Sequence, residues 1–119
     1  MPSRADHIAR AEENEAFAKS LDQAKPLYVD WGITVLFYSA LHYVDAYLAI
    51  KPLHPPNHDA RDTAIQNNGS LSPIYKDYRR LKDQSRAARY EIPNFDRSQF
   101  SAMNQRFENI KTLVLSKMG

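Results

Sequence analysis

The chain has 119 residues, of which 43% are hydrophobic and 25% charged, the make-up of one globular domain with a single modest core. It has no cysteine, which excludes a disulfide scaffold and a thiolate metal site and fits a reducing, cytoplasmic setting. A formal net charge of +2 is too small to make the whole surface an anion binder, so any such function must come from how the charge is distributed.

There are three glycines, and the seven prolines fall between periodic segments rather than inside them. That pattern predicts long helices with short connections, and it leaves too little glycine for a loop that cradles phosphates. From Ser3 to Leu21 the chain is rich in Ala, Glu, Lys and Arg, strong helix formers. Ser3 is placed as an N-cap, and Ile8, Ala11, Ala18 and Leu21 form a thin apolar stripe that leaves one face wet. The segment from Asp22 to Lys25 reads as a break, and Pro26 suits the first turn of the next helix.

The second helix, Leu27 to Ile50, is apolar on most sides and would be roughly 36 Å long. Gly32 allows close approach of another backbone. Pro52, Pro55 and Pro56 stop the helix. The stretch Ile33 to Ile50 is nearly long enough to cross a bilayer, but His42 and Asp45 inside it would be expensive at mid-membrane. It therefore reads as a core helix with no membrane role, and the charged N-terminus does not resemble a signal peptide.

Asn57 predicts the cap of a short helix, Asp59 to Gln66, closed by the turn Asn67-Asn68-Gly69-Ser70. Ser72-Pro73 reads as the start of a fourth helix reaching Tyr90, with Ile74, Tyr78, Leu81, Ser85 and Ala88 on its inner face. Ile92-Pro93-Asn94-Phe95 reads as a turn. Asp96 or Ser98 then caps a last helix to Lys117, whose inner stripe is Phe100, Met103, Phe107, Ile110 and Val114. The expectation is an all-α, up-and-down four-helix bundle with an extra short helix, in one domain.

Three groups of residues carry the chemistry. His42 and Asp45 share a helix face, where the carboxylate can hold one imidazole tautomer for a general base or the two can ligate a metal. The structural alternative pairs Asp45 with Arg86 or Arg89 and bonds His42 to a tyrosine or a backbone carbonyl. On the fourth helix Arg79, Lys82, Arg86 and Arg89 fall along one face, with Tyr75 continuing the stripe. Tyr75 to Tyr90 holds six basic and two acidic residues, a pattern suited to a phosphate track or to a solvated face tied by ion pairs. His54, His58 and Arg61 flank the Pro-Pro turn. The helix start favours an anion there, Asp59 and Asp62 oppose one, and stabilisation of the turn is the structural alternative. His42, His54 and His58 could meet around zinc only if the fold brings them together.

In order and spacing, FYSALHYVDAYLA, then HPPNHDAR, then the helix carrying Tyr78, Leu81, Arg86, Ala88, Arg89 and Tyr90 resemble the HEPN superfamily. The likeness covers about half the chain, Trp31 to Tyr90. It implies a small helical bundle, frequent homodimers and, in many members, metal-independent RNA cleavage; other members bind RNA or nucleotides without cutting. Active members share an R-x(4–6)-H motif in which arginine steadies phosphate and histidine moves the proton. This sequence departs from that motif, since none of its four histidines has an arginine five to seven positions before it.

The expectation is therefore a homodimer that binds RNA or a nucleotide-like anion by Arg86, Arg89 and Tyr90, facing His42 and Asp45, with His58 and Arg61 at the rim. A divergent nuclease would need His42 or His58 to replace the missing histidine beside Arg86 or Arg89, with His42 and Arg86 the first candidates. The competing class is a non-catalytic dimerisation or interaction module, for instance a toxin–antitoxin component with a protein partner. No metal and no cofactor is expected in any of these readings.

Overall fold

The computed structural model describes residues 2–21, 23–51, 53–91 and 95–118. It is an all-α bundle of five helices, and no strand occurs among the described residues. The helices are α1 (Arg4–Ser20), α2 (Pro26–Ile50), α3 (His58–Asn67), α4 (Tyr75–Tyr90) and α5 (Arg97–Met118), with one 3-10 turn, Ser72–Ile74, leading into α4.

Capping fixes where these helices begin. The Ser3 hydroxyl accepts from the Asp6 amide while the Asp6 carboxylate accepts from the Ser3 amide, a reciprocal capping box at α1. Asn57 Oδ1 accepts from the Ala60 amide at the head of α3. Asp96 and Gln99 exchange the same kind of bonds before α5, so Asp96 rather than Ser98 is the cap there. Ser72-Pro73 does not cap α4: those residues form the 3-10 turn, and Asn68 instead accepts from the Ser70 and Leu71 amides. The preceding turn already satisfies the local donors, so the chain tightens into the 3-10 turn before α4. The expected breaks at Asp22, at Pro52 and at Ile92-Pro93-Asn94 fall on residues outside the described ones.

α2 is the spine, packed against α1, α4 and α5. Ile33, Leu36, Phe37, Ala40, Val44 and Leu48 are all inaccessible to solvent, as an all-round apolar helix requires. By length and composition α2 could cross a membrane, yet 72% of its most apolar stretch is buried inside the protein. A Cβ at position 32 would lie 2.8 Å from the Phe100 ring and 3.7 Å from the Ala18 carbonyl oxygen, so Gly32 lets an α5 side chain as well as the α1 backbone lie close to α2. The five α5 stripe residues named from the sequence are all buried.

α1 has little to bury, and polar contacts supplement its thin stripe. Ser39 on α2 donates to the Ala11 carbonyl at 2.7 Å. Lys19 bridges Glu15 and Glu108, and Lys111 reaches back from α5 to Glu15. Burial opposes ionisation of Glu15, but the two ammonium groups prevail and hold its carboxyl below the usual range.

Candidate functional site

α3 is only ten residues long, and it works as a polar clamp. Arg61 and Asp62, neighbours in sequence, are 8% and 7% exposed and reach in opposite directions. The Arg61 guanidinium donates to both oxygens of Asp45 on α2, at 2.8 and 3.1 Å, the planar two-point contact that arginine makes best. Asp62 accepts from Lys82 of α4 at 2.6 Å and from Arg79 at 3.4 Å. Ile65, one turn on, is fully buried and anchors the helix between them. The partner of Asp45 is thus neither Arg86 nor Arg89. Those two sit farther along α4, on the face that lines a groove, while α3 inserts Arg61 directly over Asp45.

His42 also differs from expectation. Its Nδ1 lies 3.0 Å from His7 Nδ1 of α1, rather than on a tyrosine or a carbonyl. One ring must donate and the other accept, so at least one is neutral. Burial pushes both imidazoles below their usual range, which favours the neutral pair at neutral pH. His7 was not among the residues singled out from the sequence. It falls on the stripe of Ala11 and Ala18, at one and three turns' distance, and that periodicity could have found it. Tyr78, fully buried, has its hydroxyl in electrostatic reach of Arg61 but forms no well-shaped hydrogen bond, and burial pushes its pKa up.

The second group forms an open groove of about 610 Å³ between α2, the start of α3 and α4. Arg79, Lys82, Arg86 and Arg89 line one wall, as their spacing requires, with His58, Tyr38 and Tyr90 around them and the carboxylates of Asp59 and Asp83 in the same lining. Tyr75 packs its ring against the core and keeps its hydroxyl within reach of Arg79, at the head of the stripe. The four cations are not equivalent. Arg79 and Lys82 are engaged by Asp62, and Arg79 also by Asp83. Among the described residues, neither Arg86 nor Arg89 has a carboxylate in ion-pair range. Arg89 donates to the Ser85 hydroxyl and lies over the rings of Tyr38 and Tyr90, at 5.7 and 5.4 Å from their centroids. His58 packs against Phe37, and burial, then Arg61, hold it below its usual pKa.

The expected constellation is therefore divided. Arg86, Arg89, Tyr90 and His58 come together in the groove. Asp45 and Arg61 form the clamp, and His42 faces α1. Among the described residues no three metal-ligating side chains converge, so His42, His54 and His58 do not meet. His54 lines a separate hollow with His7 and Asp45. No protein-family model, curated protein or solved structure matches this chain.

Proposed function

We propose that this protein is a cytoplasmic, HEPN-like up-and-down bundle that binds RNA or a nucleotide-like anion in the α4 groove. The observation that carries the reading is the contrast within one row of cations. Two are neutralised by carboxylates, while, among the described residues, Arg86 and Arg89 have no carboxylate in ion-pair range and Arg89 lies over the rings of Tyr38 and Tyr90. A cation free of internal pairing, with aromatic faces at its side, suits a phosphate attached to a flat base. The burial of α2 within the bundle supports a core helix over a membrane span.

Binding is tested by fluorescence anisotropy with a short single-stranded RNA at 50 and 200 mM salt. Two phosphate contacts correspond to a log–log salt slope of about −1.4, hence about sevenfold weaker binding over that range. Replacing Arg86 and Arg89 by alanine should flatten the slope by that amount. Absence of binding at the lower salt would sink the proposal.

A second reading, a non-catalytic homodimerisation or protein-interaction module such as a toxin–antitoxin component, is favoured by Leu27, Trp31 and Tyr90, which stand 64%, 55% and 73% exposed. A third, a divergent metal-independent nuclease, would take His58 rather than His42 as its histidine, because His58 shares the groove with Arg86. RNA incubated with EDTA distinguishes it: cleavage lost in both His58→Ala and Arg86→Ala supports a nuclease, and equal background from those variants and wild type ends the idea.

A further inference from the structure

Beside the basic groove lies a second hollow, of about 410 Å³, between the first half of α2 and the end of α4. Leu27, Asp30, Trp31, Thr34, Ala88 and Arg89 line it. Arg89 belongs to both hollows, so they adjoin across its side chain. The walls are mostly apolar, and Trp31 presents more than half of its surface. One polar atom stands out. Asp30 Oδ1 is closed off from solvent and makes no well-formed hydrogen bond; burial pushes the carboxyl pKa up although the Phe95 backbone amide counters it, so the group is short of donors, a costly state.

Each feature restricts the occupant. A purely apolar ligand would leave the Asp30 carboxyl short of donors. A cationic side chain would satisfy Asp30 but meet Arg89. A bare anion would be drawn by Arg89 and Arg86 yet repelled by Asp30. A flat ring with N–H donors on its edge, carried on a phosphate, meets all three conditions: its face lies on Trp31 and Leu27, its edge donates to Asp30, and its phosphate reaches Arg89 and Arg86.

We infer that the Leu27–Asp30–Trp31 hollow is a nucleobase pocket that selects an amino-bearing base, with the adjoining phosphate held by Arg89 and Arg86. This rests on the RNA- or nucleotide-binding reading above and adds a base preference to it. An exocyclic amine carries two N–H bonds and can turn one of them to a carboxylate, as in the pairing of Asp or Glu with cytosine N4. The only ring donor of uracil is flanked by two carbonyl oxygens, which the carboxylate repels. Adenine and cytosine should therefore be favoured and uracil disfavoured. Stacking on Trp31 contributes regardless of which base is bound.

The test is anisotropy at 50 mM salt with octamers of oligo(A), oligo(C) and oligo(U), and with inorganic polyphosphate as a base-free competitor. Wild type should prefer the amino-bearing strands over oligo(U) by about tenfold, the effect of one hydrogen bond to a charged group. Asp30→Asn supplies both a donor and an acceptor and should bring the strands within about twofold of one another. Trp31→Ala, at an exposed position, should weaken every strand by about tenfold and leave competition by polyphosphate unchanged. Thermal melts of both variants confirm that each is folded.

Equal binding of all strands by wild type, unaltered in either variant, would overturn the base pocket while leaving anion binding intact. Failure of every strand and of polyphosphate to bind would overturn the underlying reading as well. Sedimentation gives one further outcome: a dimer that Trp31→Ala dissociates, with no change in strand preference, means that a second copy covers the hollow and removes the pocket.

Discussion

The α3 clamp and the α4 groove use the same chemical group to opposite ends. Arg61 and Arg89 are both arginines within reach of α2, yet one is locked onto Asp45 at two points and the other rests on tyrosine faces. The difference lies in the carboxylates. Asp45 and Asp62 sit where α3 packs, so the charges there are matched and buried. Toward the end of α4, Arg86 and Arg89 meet no carboxylate in range among the described residues and remain available. An arginine in this fold is a fastener where an acid faces it and a handle where none does.

The sharpest way to break that comparison is to delete one arginine of each kind. Arg61→Ala strands a buried carboxylate and should cost about 3–5 kcal/mol of stability in urea unfolding. Replacing Asp45 and Arg61 together by leucine and methionine should recover most of that loss. Arg86→Ala should stay within about 0.5 kcal/mol of wild type. Comparable losses from Arg61→Ala and Arg86→Ala would erase the distinction.

Acid probes the closed side next. Folding holds His7 and His42 below their usual value of 6.5, so below that pH the unfolded chain takes up protons that the folded chain refuses. Their contribution is undiminished above pH 6.5 and declines as pH falls, by up to about 1.4 kcal/mol per pH unit for each ring. Asp45 and Asp6 attract the His7 charge while Arg61 opposes it, so the net slope measures how closed this corner is. Urea midpoints at pH 7, 6 and 5 should fall, and His7→Gln with His42→Gln should flatten the trend.

On the open side, alanine at both Arg86 and Arg89 should weaken RNA binding by about tenfold, equivalent to about 1.4 kcal/mol, with the urea midpoint nearly unmoved. The smallest effect belongs to Tyr38→Leu, which removes one cation–π contact from Arg89 and should cost about 0.5–1 kcal/mol in binding. A larger loss in folding than in binding would place Tyr38 with the clamp rather than the groove.

The sequence made these two regions unequally legible. The inner stripe of α5 and the caps at Ser3, Asn57 and Asp96 were readable because they depend on spacing within one element. So was the shared face of Arg79, Lys82, Arg86 and Arg89. The Asp45–Arg61 pair was not, because it depends on how α3 is rotated between two other helices, and sequence periodicity carries no information about that angle. The pairing of His7 with His42 was missed for a related reason: it joins two helices 35 positions apart. Asp30 escaped notice because its significance lies in a shortage of donors, which only the packed structure displays.

The ion pairs that seat α1 have a consequence for the order of assembly. Asp45 and Arg61 are separated by 16 positions, whereas Glu15 and Lys111 are separated by 96. Closing the longer loop costs about 1.6 kcal/mol more chain entropy, and α1 brings only a thin apolar stripe to offset it. The α2–α3–α4 unit should therefore form before the seam between the first and last helices closes. In native-state hydrogen exchange that seam should be the first to open, with α1 amides exchanging through partial unfolding while those of α2 wait for the whole molecule.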